Sequence, residues 1–293
     1  MKLIDLGRQD PVWAVYEGLA AEAEANVRAF RRSAKRFRAS EVSDCKRKIW
    51  YRLGGFVPLP KEPWLELVSD SGNFHHDYAR QIGTHYGMKM TGFTMVDGKQ
   101  EEEHYSSRVF THDGATFELS CRPDGYIPIA TPEGERKAIM EIKSMGQYAF
   151  QAAEGAFKKG PEALMDHLLH KHPNYIWQGN VTAMIRELDY VYLLCLGRSG
   201  NNFGLGAVGS IRAGSWDPLR GRRAGGLVWQ LEDSDRENIL SKLATVSKAL
   251  ESGDPPPPDF SPGSSECDMC PFLYACPNGK LTKVKYPIPG VLS

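Results

Sequence analysis

"SCRPDGYIPIATPEGERKAIMEIKSMG", residues 120–146, decides how the chain is read. Two apolar-rich runs, "GYIPIA" and "AIMEIK", are parted by the turn-forming "TPEG", so the stretch reads as two strands of an antiparallel pair. Asp124 follows Pro123 just before the first run, and Glu141 lies in the second among Ile139, Met140 and Ile142. Lys143 falls on the same strand face as Glu141, because strand side chains alternate with period two. Two carboxylates and an amine on one sheet edge suit Mg²⁺ or Mn²⁺, hard cations that take oxygen ligands and keep several waters. A nearby lysine can orient a water or stabilise charge developing on a phosphate. Three ordinary surface charges would give the same string, so the rest of the chain has to decide.

Short alternating segments run from about 92 to 143 and predict a mainly antiparallel sheet, with "HDG" and "TPEG" as turns and Pro128 marking an edge or a bulge. Residues 147–188 read as helix, with Pro173 suited to a first turn. "LDYVYLLCLG" is a buried strand and "GLVWQLE" another, and the Gly- and Arg-rich residues 197–226 between them predict a hairpin or mobile loop. Ser234 and Glu237 have the spacing of a capping box for the helix that follows. Upstream, the periodicity predicts helix over 12–38. It predicts a short helix begun by Ser40 or Ser43 and stopped at Gly54 and Gly55, and a third over "DSGNFHHDYARQIGTHYG" ending near Gly83 or Gly87. The fold class is α/β.

The chain has 293 residues, 41% of them hydrophobic, with 36 basic and 36 acidic side chains, so no global basic field announces a nucleic-acid partner. A local one exists: residues 28–52 hold ten Lys or Arg against Glu41 and Asp44, with Arg28, Arg31, Arg32, Lys35 and Arg36 mainly on one side of the first helix and Lys46 and Arg47 further on. Phosphate attraction and a solvated helix face both fit this charge. No apolar run approaches the roughly 18 residues that span a bilayer. The N-terminus carries Asp5 and Asp10 without an apolar signal core, so a soluble cytoplasmic protein with no membrane partner is expected. "GLGAVG" at 204–209 matches a dinucleotide fingerprint but lacks the strand before it and the helix after it.

Further candidates surround the edge. His76 in "GNFHHD" is an acceptable extra ligand for Mn²⁺ and is preferred to His75. "NYIWQGNVTAMIREL" stacks Tyr175, Gln178, Thr182 and Arg186 on one helical stripe, opposite Ile176, Trp177, Val181, Met184 and Ile185, and the exposed stripe suits a nucleic-acid backbone. Trp50 and Tyr51 suit core packing better than base stacking. In a reducing compartment the six cysteines point to metal or catalysis. Cys267, Cys270 and Cys276 are three soft ligands wanting a fourth. Cys121 and Cys195 sit among apolar strand residues as small hydrophobes, so the fourth is assigned to Cys45, in a charged segment. Four thiolates suit Zn²⁺ or an iron–sulfur cluster, and their spacing does not separate the two. Such a site would clip the two ends of the chain together.

"RASEVSDCKRKIWYRLGG", "GNFHHD", "CRPDGY", "MEIKS" and "CDMCPFLYAC" occur in the order found in RecB-like exonucleases of the PD-(D/E)xK superfamily, and the chain resembles that group from about Ser40 to Cys276. The likeness is to its iron–sulfur branch: CRISPR-associated single-strand exonucleases, related phage nucleases and the AddB nuclease domain. The resemblance implies a restriction-endonuclease-like core, a central mixed sheet flanked by helices, with the terminal segments joined by a cluster. It implies a single nuclease domain over 1–293: a helical part over 1–90, a nuclease core over 91–250 and a Pro-rich connection with the three-cysteine segment over 251–293.

By the same resemblance His76, Asp124, Glu141 and the backbone carbonyl of Ile142 would hold Mg²⁺ or Mn²⁺, with Lys143 as the catalytic lysine. Cys45, Cys267, Cys270 and Cys276 would ligate a [4Fe–4S] cluster. Gln178 and Tyr175 would position DNA, and the local basic charge of residues 28–52 adds Arg31, Lys35, Lys46 and Arg47 as DNA-binding candidates. The implied activity is exonucleolytic hydrolysis of single-stranded DNA, 5′ to 3′, in a bacterial or phage-infected cell. Homo-oligomers and recombination or CRISPR adaptation proteins are the implied partners. The family pattern of Gln, three residues, then Tyr is broken here by Thr182, with Tyr175 one turn before Gln178 as its substitute. The competing reading is a non-catalytic DNA-binding or recombination-accessory protein with a structural iron–sulfur or zinc site.

Overall fold

The computed structural model describes residues 36–60, 72–81, 89–92, 94–96, 99–101, 105–198 and 227–276, together with 17, 18, 20 and 21. Strand β1 (Arg36–Arg38) stands where the periodicity predicts the end of a helix. "RFR" alternates with period two, and Phe37 is buried edge-to-face against Phe117. Its backbone carbonyl accepts the Ser120 hydroxyl. This pairing across more than eighty residues overrides the local helical spacing of Phe30, Ala34 and Phe37. A 3-10 turn (Ala39–Glu41) precedes helix α1 (Lys46–Leu53), which starts after Cys45 rather than at Ser40 or Ser43. It ends at Gly54, where predicted, and Gly55 takes the left-handed conformation with φ 80°.

Residues 72–81 form helix α2. Strands β2 (Thr94–Val96) and β3 (Lys99–Glu101) make a small antiparallel pair. Strand β4 (Ser106–His112) turns at Asp113 and Gly114, both at positive φ, into β5 (Ala115–Cys121). That two-residue reversal matches the strand twist. β6 (Gly125–Thr131) and β7 (Gly134–Gly146) form the second hairpin, with Pro128 on the edge strand as expected. Helices α3 (Gln147–Phe157), α4 (Pro161–Lys171) and α5 (Pro173–Arg186) then cross over to β8 (Tyr190–Arg198), which is antiparallel to β9 (Leu227–Gln230). A crossover of this length brings β8 back parallel to β7. Within 92–143 every described strand pair is antiparallel, as predicted, but the strands divide among three sheets. β1 is parallel to β5, so the sheets ordered β1-β5-β4 and β6-β7-β8-β9 are both mixed.

Alternation along β7 and β8 gives the larger sheet two apolar faces. Ala138, Met140 and Ile142 join Tyr192, Leu194 and Leu196 on one. Met145 joins Leu193, Cys195 and the helical residues Ala153, Leu164, Leu168 and Ile176 on the other. By the same alternation Glu141 and Lys143 share the face of Met145, under the crossover helices. Gly179 lets α5 approach closely, since an added Cβ there would lie 2.8 Å from Val191 Cγ1.

Helix α6 (Asp233–Ser252) starts one residue before Ser234, so Ser234 and Glu237 do not form the predicted box. Asp235 instead accepts the backbone N–H of Glu232 at 3.3 Å, while Glu237 lies 3.2 Å from His112. A short helix α7 (Ser265–Asp268) is capped by Ser264, whose hydroxyl accepts from the Cys267 N–H. The chain divides into two compact units: Met1–Ala34, Cys45–Ser71 and Ala249–Ser293 make one, and Lys35–Asp44 with Gly72–Lys248 make the other. Both multistranded sheets belong to the second.

In the first unit α1 and the C-terminal residues are tied by ordinary polar bonds. Tyr51 donates to Ala275 O at 2.7 Å, Leu59 N to Pro271 O at 2.8 Å and Tyr274 to Val57 O at 2.7 Å. Tyr51 stacks on Phe272, and Trp50 and Tyr51 are buried, so both serve the core. The Gly- and Arg-rich residues 199–226, "GLGAVG" included, lie outside the described residues. No described helix is long and apolar enough to cross a membrane.

Candidate active site

Asp124 immediately precedes β6, whose pairing with β7 starts at Gly125 opposite Met140. Its Oδ2 accepts the Ile142 N–H at 2.7 Å. Oδ1 faces α2, accepting from Arg80 Nη2 at 2.6 Å, with His76 Nδ1 at 3.2 Å. With Nδ1 protonated, His76 donates to Asp124 and keeps its lone pair on Nε2, the arrangement a metal-binding imidazole uses. Burial alone would raise the Asp124 pKa, but the charges and hydrogen bonds of His76, then Arg80 and Lys143, hold it well below the ordinary carboxylate range.

Glu141 is fully buried in the middle of β7. Lys143 Nζ lies 2.6 Å from Oε1 as an ion pair, yet neither carboxylate oxygen receives a hydrogen bond of normal geometry. Desolvation pushes its pKa up to about 7, despite the opposing charge of Lys143. Desolvation also works against the charge of Lys143, but the Glu141 and Asp124 carboxylates outweigh it and raise the lysine pKa. The two shifts pull differently on one pair. The geometry favours the charged lysine, whose Nζ also donates to Gln178 Oε1 at 2.9 Å and lies 5.6 Å from the centre of the Tyr175 ring.

The raised Glu141 pKa carries a pH dependence. The folded protein holds a proton that the unfolded chain releases above about 4.5, so this group's contribution to stability falls as pH rises from about 4.5 to about 7. Urea unfolding in EDTA at pH 5 and pH 7.5 is therefore expected to show Glu141→Gln gaining on the wild type at the higher pH. A constant gap between the two proteins would contradict the assignment.

α5 differs from the solvated stripe predicted for it. Thr182 is buried and donates to the Gln178 carbonyl at 2.8 Å, and Gly179 to Ile185 are buried all round. Gln178 and the half-buried Tyr175 meet Lys143, while Trp177 has Lys242 over its ring. Of the basic residues, Arg31 and Lys35 lie outside the described residues. Lys46 pairs with Asp259 at 2.9 Å, and Arg47 donates to Pro256 O at 3.0 Å and to Cys276 Sγ at 3.8 Å.

Arg80 and Asp77 were absent from the sequence-based site. Arg80 is only 4% exposed. Its Nη1 meets Asp77 at 3.0 Å and its Nε donates to the Asp124 carbonyl at 2.9 Å. The available signal was spacing: Arg80 is four residues after His76, on the same helical face.

The thiols Cys45, Cys267, Cys270 and Cys276 all belong to the first unit and are half-buried. Burial raises the Cys270 pKa, with further raising contributions from Cys276 and Cys45, so these three are electrostatic neighbours. Cys45 Sγ accepts the Asp259 N–H at 3.4 Å. Cys121 and Cys195 are buried strand residues whose thiols are pushed up to about 11 and about 12 by burial, as suits inert packing. Among the described residues no three His, Cys, Asp or Glu side chains are gathered about one point as ligands. Asp124 and Glu141 are turned to Arg80 and Lys143 instead.

Neither a family model nor a curated protein matches the chain. Among solved structures it is similar to SSO0001, at 12% identity and a TM-score of 0.45, over 90% of this chain and 96% of that one. It is also similar to LHK-Exo in complex with dAMP, at 12% identity and a TM-score of 0.43, over 81% of this chain and 93% of that one. At such scores the likeness decides neither fold nor chemistry.

Proposed function

We propose that this protein is a metal-dependent deoxyribonuclease that hydrolyses single-stranded DNA from an end, 5′ to 3′. The observation that carries the reading is Glu141: a fully buried carboxylate whose one charged contact is the Lys143 ammonium at 2.6 Å, in the same charge network as Asp124. A buried carboxylate lacking donors is costly unless a proton or a cation answers it. By donor type, the oxygens of Asp124 and Glu141 with the imidazole of His76 suit Mg²⁺ or Mn²⁺, which would have to draw the two carboxylates together from their contacts with Arg80 and Lys143. The carbonyl of Ile142 enters through the resemblance to RecB-like exonucleases, as do the end preference and the polarity. When bound, the ion would polarise the scissile phosphate and lower the pKa of water.

The chain's own groups supply the rest. Lys143, held cationic between Glu141 and Gln178, would stabilise charge developing on the phosphate. Gln178 and Tyr175 orient that ammonium group and would border the DNA strand. Cleavage of single-stranded DNA labelled separately at its 5′ and 3′ ends, with Mn²⁺ or EDTA, tests the activity and its direction together. Internal products from both labels would overturn the exonuclease reading.

Cys45, Cys267, Cys270 and Cys276 fit a [4Fe–4S] cluster by donor type. The polar bonds between α1 and the C-terminal residues help hold that unit together independently of any metal. Anaerobically purified protein is expected to contain iron and absorb visible light, and Cys270→Ser to lose both. Zinc with no visible absorbance would leave the thiol site and remove the cluster.

A further inference from the structure

We infer that Arg80 is a positioning residue for this site, holding Asp124 in the orientation from which its carboxylate takes a divalent cation. The inference rests on the proposed function. A guanidinium this deeply buried is destabilising unless its donors are satisfied, and those of Arg80 grip one residue at two points. Nε holds the Asp124 backbone carbonyl at 2.9 Å and Nη2 holds Oδ1 at 2.6 Å, while Asp77 anchors Nη1 at 3.0 Å from the same helix. With the Ile142 N–H on Oδ2, both the turn and the carboxylate plane of Asp124 are set. A lysine could bring the charge to Oδ1 but not the planar fork that reaches both oxygens.

Orientation and charge make opposite predictions here. A fixed cation beside a ligand oxygen opposes a second cation, so on charge alone loosening Arg80 would tighten metal binding. Orientation requires the reverse. The variant Arg80→Lys keeps the charge and removes the fork. Asp77→Asn leaves Arg80 in place and loosens its anchor on a more exposed residue, so it decides the matter if Arg80→Lys does not fold.

The test is calorimetric titration of Mn²⁺ into the wild type, Arg80→Lys, Asp77→Asn and Asp124→Ala, with circular dichroism and thermal melts on each. Outer-sphere partners of metal ligands typically change affinity by about 10- to 100-fold. Arg80→Lys is expected to weaken Mn²⁺ about tenfold and Asp77→Asn by a smaller factor in the same direction, each with a wild-type dichroism spectrum. Cleavage should need correspondingly more Mn²⁺ for half its maximum. Folded variants that bind Mn²⁺ as tightly as the wild type, or more tightly, would overturn the role of Arg80 alone. A wild type whose Mn²⁺ binding is absent, or unchanged by Asp124→Ala, would overturn the proposed function and this inference with it.

Discussion

Glu141→Gln is expected to lower metal-dependent cleavage of single-stranded DNA by about three orders of magnitude, the scale of removing one group that stabilises a transition state electrostatically. The amide keeps the side-chain volume in the middle of β7 but removes the anionic donor. Glu141 is fully buried with the Lys143 ammonium at 2.6 Å, so Glu141→Gln also breaks a buried pair, a change that typically costs about 3–5 kcal/mol. An amide oxygen can still accept from Nζ, and Gln178 remains an acceptor for it, so the cost should lie at or below the low end of that range. Loss of activity in a variant shown to be folded would separate a chemical role from a structural one. Glu141→Ala should abolish cleavage too, but it adds a cavity under α5 and is the less informative variant.

Lys143→Met is expected to cut cleavage by about 10²- to 10³-fold while leaving Mn²⁺ binding at least as tight as in the wild type, since a cation next to the metal ligands is lost. It breaks the same buried pair as Glu141→Gln but leaves no polar group in place of the lost partner, so its effect on stability is the larger. Removing one partner of a buried pair typically costs about 3–5 kcal/mol, because the other charge is left uncompensated. That cost should depend on pH. Without the lysine the Glu141 carboxyl has still more reason to hold a proton, so the variant should be closer to wild-type stability at pH 6 than at pH 8. Urea unfolding at the two pH values checks the sign, and a deficit independent of pH would argue against the pair. Gln178→Ala should give the same kinetic change in weaker form, since it removes one of the groups orienting Nζ.

Much of this site was legible because it is built from local periodicity. Period-two alternation put Glu141 and Lys143 on one face, the turn residues separated the two strands correctly, and Pro128 marked the edge. Gln178 was placed on a helical stripe with Tyr175, Thr182 and Arg186 expected to face solvent, whereas it accepts from Lys143. What escaped depends on contacts distant in sequence. β1 is a strand only because β5 lies beside it, and the parallel pairing of β7 with β8 follows from a crossover whose packing no local pattern encodes. Thr182 read as solvent-facing because a polar residue one helical turn from Gln178 looks wetted, whereas its hydroxyl is satisfied by the Gln178 carbonyl.

Charged residues were the least legible. Arg80 four residues after His76 resembles any surface cation until Asp124, far along the chain, is seen to occupy it. Lys46 and Arg47 read as phosphate contacts, and in the structure Lys46 pairs with Asp259 while Arg47 donates to Pro256 O and Cys276 Sγ. Charge count alone does not separate a cation facing solvent from one that neutralises its own chain. The cysteines sorted better, because an apolar strand neighbourhood and a charged one differ visibly in sequence: Cys121 and Cys195 are buried, and Cys45 belongs to the same unit as Cys267, Cys270 and Cys276.

The most direct measurement compares the wild type with Glu141→Gln on one end-labelled single-stranded DNA, each in Mn²⁺ and in EDTA, with both proteins shown to be folded. The predicted result is cleavage by the wild type in Mn²⁺ only, and none above background by the variant. Equal cleavage by the two proteins, or none by a folded wild type in Mn²⁺, would contradict the account and leave Asp124, Glu141 and Lys143 as a buried structural ion-pair network.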